Sequence, residues 1–318
     1  MRMSLIVSFL LATQWGAPAV AESAREMLAS GHADEAIRVL HQPNPSDLKR
    51  AEADNLLCRA YFELEQWDAA VSACEKAASL DSSSSLFQLW LGRAYGEKAD
   101  RVSFLKAASL AGKVRDSFER AVQLDPGSWE ARTDLAEFYL EAPSLVGGGK
   151  DKALAQADAL MRIKPGLAHW VMGRLAEKNK DGAAAEREYR AAIESSGDGA
   201  HAWLNLALFY WHTKRFDEME KTLHSMELRP QDRPESLSDG ASILLRSGRN
   251  FPFAIRLVQK YLQGPLVEQE PAFKAHELLG ELLEKQGDRK GAADQYRAAL
   301  TLASEYGRAR SGLKRVEP

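Results

Sequence analysis

Three stretches of this chain share one spelling: a large aliphatic residue, a small one, two spacers and an aromatic. They are Leu91-Gly92-Arg93-Ala94-Tyr95, Leu135-Ala136-Glu137-Phe138-Tyr139 and Leu206-Ala207-Leu208-Phe209-Tyr210. Each precedes a second amphipathic segment, clearest in Phe118-Glu119-Arg120-Ala121 ahead of Pro126. That second half repeats in Tyr189-Arg190-Ala191-Ala192 and Tyr296-Arg297-Ala298-Ala299. Such periodicity constrains the fold strongly, because a unit with one apolar face cannot bury it without neighbours. Apolar residues at i, i+3, i+4 and i+7 make both halves helices. Polar runs such as Asn179-Lys180-Asp181-Gly182 and Gln286-Gly287-Asp288 suit the turns between them. Gly or Ala lets paired helices approach closely, while Leu and aromatics fill the space between pairs. Pro126, Pro165 and Pro230 are expected to end second helices, where proline cannot continue the backbone bonding. The predicted fold is all-α: antiparallel helix pairs stacked into a right-handed solenoid with a concave and a convex face.

The pattern resembles the tetratricopeptide repeat (TPR) family, whose unit of about 34 residues carries W-x2-L-G-x2-Y, then A-x3-F-x2-A, then Pro. Leu57, Cys58, Tyr61, Ala70, Cys74 and Ala77 occupy those places in one unit, and Leu279, Gly280, Leu283, Ala292, Tyr296 and Ala299 in another. Five units run in phase. The expected organisation is a partial unit over 22–50, then units near 51–84, 85–128, 129–165, 166–199 and 200–232. A degenerate unit over 233–267, a strong one over 273–306 and a capping helix over 307–318 complete the array.

The resemblance implies that first helices line a concave groove. The positions mapped there include Asn55, Arg59, Phe62, Arg93, Glu137, Trp170, Arg174, Glu177, His201 and Trp211. Arginines beside aromatics suit an extended peptide or a helix, since Arg can hold a carboxylate with two bonds and Trp and Arg are enriched where binding energy concentrates. The competing reading is that these charges are solvated or paired with one another. The Lys-and-Asn carboxylate clamp of the family's chaperone-binding members is absent.

The period breaks twice. Glu97 to Lys113 stays helix-like and reads as an extended helical hairpin. Glu141 to Asp151 contains Gly147-Gly148-Gly149-Lys150, which fails the phosphate-loop pattern because Asp151 follows the lysine. Bare amides ahead of a helix starting near Asp151 could still cradle an anion, against the alternative of a plain turn.

Other function classes find little support. The 42 Lys and Arg face 45 Asp and Glu, a formal charge of −3, so the positive excess needed for nucleic-acid binding is missing. No motif for a metal, cofactor or catalytic nucleophile stands out: the seven histidines contain no i, i+4 pair, and His276-Glu277 lacks the second histidine of a zinc protease. Cys58 and Cys74 fall on facing helices of one hairpin, as a disulfide or as two packed thiols. At the N-terminus, Arg2, the apolar run Leu5 to Ala12 and Ala19-Val20-Ala21 read as a secretory signal over 1–21. That run is too short to span a bilayer, which needs about 20 residues. The expectation is a non-catalytic, periplasmic or secreted scaffold that binds a protein or peptide and needs no cofactor. Alternatives are a small-ligand accessory protein, which would need a closed apolar pocket near the Gly-rich insertion, and a hydrolase on an α-toroid, which would need convergent carboxylates.

Overall fold

A computed structural model of the protein describes residues 17–42 and 47–317. The expected signal segment lies outside the described residues up to position 16, and the first helix runs across its expected cleavage point at Ala21. The described residues form seventeen α-helices and no strand beyond one isolated bridge between Val267 and Glu270. Consecutive helices pair as α1 (Ala17–Ala29) with α2 (Ala33–Leu40), α3 (Asp47–Glu63) with α4 (Trp67–Leu80), and α5 (Ser85–Ala99) with α6 (Phe104–Leu124). The series continues with α7 (Trp129–Glu141) and α8 (Lys150–Leu160), α9 (Pro165–Lys178) and α10 (Gly182–Ser195), then α11 (Ala200–His212) and α12 (Phe216–Glu227). It finishes with α13 (Ser236–Ser247) and α14 (Phe251–Leu262), α15 (Ala272–Gln286) and α16 (Arg289–Leu302), and a single α17 (Gly307–Val316). The architecture is an α-solenoid of stacked antiparallel helix pairs.

The small residues do what their spacing requires. A Cβ on Gly92 would lie 2.5 Å from the Phe118 ring, and one on Gly280 would lie 2.7 Å from the Tyr296 ring. The aromatics also carry a polar duty: Tyr139 donates to Glu119 at 2.7 Å, Tyr210 to Glu186 at 2.8 Å and Tyr296 to Glu284 at 2.9 Å. Buried rings thereby keep a partner for the hydroxyl. Ser84, Ser128, Asp181 and Asp288 cap helix N-termini by accepting an amide two or three positions into the helix.

Seven of the eight hairpins turn through the left-handed region, at Gly31, Glu65, Gly147, Lys180, Lys214, Gly248 with Asn250, and Gly287. The exception is α5/α6, which with α7/α8 breaks the sequence period. The first insertion lengthens α6 to 21 residues, with Phe104 and Leu105 each 82% exposed at its start. The second contains a 3-10 turn over Ser144–Val146. One proline departs from expectation: Pro165 opens α9 rather than ending α8, because its missing N–H and fixed φ cost nothing in the first turn.

The array does not remain an open spiral. Its first hairpins come round to rest on its last. Asp34 accepts the amide of Ser304 at 2.8 Å, and a Cβ on Gly31 would meet the Ala272 nitrogen at 2.8 Å. Ala33 and Leu64 share one apolar cluster with Phe273, Tyr296 and Tyr306. Ion pairs reinforce this seam: Glu63 with Lys274 at 2.5 Å, and Arg308 with Glu65 at 3.7 Å and Glu277 at 3.4 Å. Cys58 and Cys74 are disulfide-bonded across α3 and α4, with their Cα atoms 5.1 Å apart.

Candidate functional site

Closure turns the concave face into a chamber of about 670 Å³. Its walls come from α3, α5, α7, α9 and α11, from the turn 232–235 ahead of α13, and from the 263–271 loop that enters between α14 and α15. The loop is anchored at both faces. The Tyr261 hydroxyl donates to the Glu270 carbonyl and accepts the Val267 amide, and Ser238 donates to the Glu270 carboxylate at 2.6 Å. On its other side Glu268 takes two bonds from the Arg59 guanidinium, which also lies 5.1 Å from the Trp90 ring.

Of the ten groove residues named from the sequence, the chamber gathers five: Arg59, Arg93, Glu137, Trp170 and His201. Arg93 pairs with Asp134 at 2.6 Å and stands 5.0 Å over Trp90 from the same side chain. His201 meets Arg233 at 3.2 Å, and burial first, then that guanidinium, pushes its pKa down to about 3. It is therefore neutral at physiological pH. Glu137 reaches Arg174 at 3.2 Å, and Arg174 also binds Glu141 at 2.7 Å while lying 5.6 Å from Trp170.

The other five lie elsewhere. Asn55 is 2% exposed within the core rather than facing the groove. Phe62 packs edge-on against Trp67 and Trp90 in the adjoining hollow. Arg174 sits behind Glu137, and Glu177 accepts from Tyr189 and faces His212 at 3.1 Å. Trp211 packs against the C-terminal apolar core. The three arginines expected as free anchors are each engaged by acids of the same chain: helices this close neutralise their own charges before a partner arrives.

The expected anion cradle requires correction. The amides of Gly147, Gly148 and Gly149 donate to the carbonyls of Ser144, Pro143 and Tyr139, at 3.0, 3.2 and 2.9 Å. Lys150 binds the Asn179 side chain. The glycines serve close packing, since a Cβ on Gly148 would sit 1.8 Å from the Ala142 oxygen. None of these four residues lines the chamber.

Several lining residues escaped sequence reasoning. Trp90, Trp129, Asp134, Asn205 and Arg233 all face the chamber. Asn205 is hidden inside the strongest first-helix motif, and the loop bearing Glu268 falls in the gap between two units. That gap was the only available signal. Among the described residues no group of three or more His, Cys, Asp or Glu has metal-binding geometry, and no helix is long and apolar enough to cross a membrane.

Fold and chamber together define a solenoid closed on itself around an interior hollow. Residues 171–219 and 241–307 match the tetratricopeptide repeat family. No curated protein sequence matches the chain. Similar solved structures include a thermophilic TPR protein of Thermus thermophilus, 14% identical over 61% of this chain and 98% of that one, with a TM-score of 0.49. Another is a tetratricopeptide repeat protein of Parabacteroides merdae, 16% identical over 84% of this chain and 99% of that one, with a TM-score of 0.40. A third is the MamA protein, 17% identical over 55% of this chain and 89% of that one, with a TM-score of 0.37.

Proposed function

We propose that the protein is a non-catalytic scaffold of an exported compartment, periplasmic or secreted, that holds another protein through its interior chamber. The observation carrying this reading is the chamber itself, where shape, tryptophans and charged groups from five first helices converge on one hollow. The acids Glu137, Glu177 and Glu281 do not converge as a toroid hydrolase would need: only Glu137 lines the chamber, and each is tied to a base, Arg174, His212 or Arg308. Export rests on the N-terminal segment and on the Cys58–Cys74 bond, which oxidising compartments favour.

A second reading, a small-ligand accessory protein, is favoured by closure alone: a walled hollow of this volume suits compact ligands. The lining mixes apolar residues such as Leu86, Leu89 and Leu167 with charged ones, and the Gly-rich insertion lies outside it. Filling the hollow tests both. A Leu86→Trp/Thr133→Tyr variant should keep its helical circular dichroism and lose partner capture from the exported fraction. Equal recovery of every partner by both forms would remove the chamber from the function. Sequencing the N-terminus of the mature protein addresses export separately, and a chain still beginning at Met1 in the cytoplasm would end that part of the reading.

A further inference from the structure

Charge on the chamber wall is lopsided. Three arginines line it, and each is committed to an acid of the chain: Arg59 to Glu268, Arg93 to Asp134 at 2.6 Å, and Arg233 to Glu235 at 2.7 Å. Four more carboxylates line the wall, Asp125, Glu130, Glu137 and Asp232. Among the described residues Asp125 and Asp232 accept only backbone amides, from Gly127 at 2.9 Å and His201 at 3.3 Å. Glu130 has no partner among the described residues. Glu137 shares its one guanidinium with Glu141.

Glu137 shows what that surplus means physically. Its side chain is 49% exposed, yet the surrounding protein first, and the Asp134 charge as well, hold its pKa above the ordinary carboxylate value against the pull of Arg174. The group faces the hollow, whose low-dielectric walls let negative charges reinforce one another and draw cations.

A second observation is independent of charge. Asn205 lines the chamber, is 8% exposed, and has no hydrogen-bond partner among the described residues. Its amide is left to pair with whatever occupies the hollow, and a primary amide can both donate to and accept from a single peptide group. Trp129 and Trp170, which complete the wall, already hold cations of this chain: Lys164 lies 5.3 Å from one ring and Arg174 5.6 Å from the other. Their faces suit cationic side chains with aliphatic stems.

We infer that the chamber takes a basic peptide segment, its Lys or Arg side chains directed at Glu130 and Glu137 and one backbone amide group paired with Asn205. The inference rests on the reading of the chamber as a binding site and adds the chemistry of its occupant. Because Glu137 is half-exposed to the hollow, affinity for such a segment should fall with ionic strength.

Fluorescence anisotropy on the full chain tests it with three labelled pentapeptides, Gly-Lys-Leu-Lys-Gly, Gly-Gln-Leu-Gln-Gly and Gly-Glu-Leu-Glu-Gly. The lysine peptide should bind at least tenfold tighter than the glutamate peptide. Glu130→Gln/Glu137→Gln should cost the lysine peptide about tenfold and erase most of the difference. Asn205→Leu should weaken the lysine and glutamine peptides by the same factor. Preference for the glutamate peptide, or indifference to the double substitution, would overturn the assigned charge while leaving the chamber as a site. No binding of any peptide at millimolar concentration by a folded chain would remove the site itself. Spermine binding as tightly as the lysine peptide, with Asn205→Leu silent, would replace a peptide by a small polycation.

Discussion

The joints within the array and the seam that closes it are built by different rules. A joint sets Gly or Ala against an aromatic, as in Gly92 under Phe118 or Gly280 under Tyr296, and it recurs unit after unit. The seam is made once, from a buried ion pair, a helix-end contact and an apolar cluster, between residues more than two hundred positions apart. Repeat arrays ordinarily gain stability only from nearest neighbours. Here the two ends also stabilise each other, so loss of the seam should open the chamber while the joints survive.

The sharpest way to separate the two is to remove one half of the seam's ion pair. Glu63 is 5% exposed at its side chain, and Lys274 contacts it at 2.5 Å. Burial pushes the Glu63 carboxyl up against the pull of Lys274, whereas at Lys274 burial is outweighed by attraction to Glu63, which holds the ammonium above its usual value. The proton stays on the lysine at neutral pH. Lys274→Met leaves a buried carboxylate unmatched and should cost about 3–5 kcal/mol, whereas Glu63→Leu/Lys274→Met should recover most of it. Hydrogen exchange should rise in α2, α3 and α15 for the single variant, with a larger radius of gyration in solution. Unchanged exchange in those helices would show that the seam contributes nothing.

Reducing the Cys58–Cys74 bond comes next. Its closed loop spans a sequence separation of 16, for which chain entropy gives about 3 kcal/mol. The effect should centre on α3 and α4, and it should reach the chamber because Arg59 and Glu63 sit on α3. Unfolding with and without reductant, against Cys58→Ala/Cys74→Ala, measures it. Equal loss in distant α11 and α12 would contradict a local role.

A smaller effect belongs to the joints. Gly92→Ala should destabilise by about 1–3 kcal/mol through overpacking against Phe118. Gly96→Ala, one turn along the same helix with nothing within 4 Å of the added carbon, should stabilise by roughly 0.5–1 kcal/mol. Denaturant titration distinguishes the two signs, and two losses of equal size would refute the close-packing account.

The same contrast explains what was legible beforehand. Joints announce themselves because Leu57, Leu91, Leu135, Leu206 and Leu279 repeat one local requirement. The seam has no period to read: Glu268 lies in the gap between units, and Asp34 meets Ser304 only because every intervening joint adds its small rotation. Half of the groove residues reached the chamber for a related reason. Helix position alone decides which face a side chain takes, but not whether a neighbour such as Glu141 or His212 reaches it first. The Gly147–Gly149 run left two readings open because glycine fits both a ligand cradle and a tight turn, and the carbonyls around it choose the turn.

Acid should move joint and seam in opposite directions, which is the finest test of the comparison. At a joint, burial alone would raise Glu186, but hydrogen bonds from Arg215, Arg190 and Tyr210 outweigh it and draw the carboxyl down to about 2. Its contribution is complete above the unfolded value near 4.5 and is lost as pH falls toward 2. At the closing loop, burial chiefly, with Asp239 and Glu63 adding to it, pushes Glu270 up to about 7 despite Ser238 and Lys274. A carboxyl raised on folding destabilises fully above pH 7 and not at all below about 4.5. Glu277, buried beside Glu281, shifts the same way. Acidification from pH 7.5 to 5 should therefore slow exchange in the 263–271 loop and α15, by at most about 1.4 kcal/mol per pH unit for each group, while α10 and α12 stay unchanged and α11 loosens below about pH 6.5, because folding holds His201 neutral. Below pH 4.5 the order reverses and the joints weaken first. Glu270→Gln should flatten the loop's profile, and a profile that keeps its slope in that variant would assign the acid response to another group.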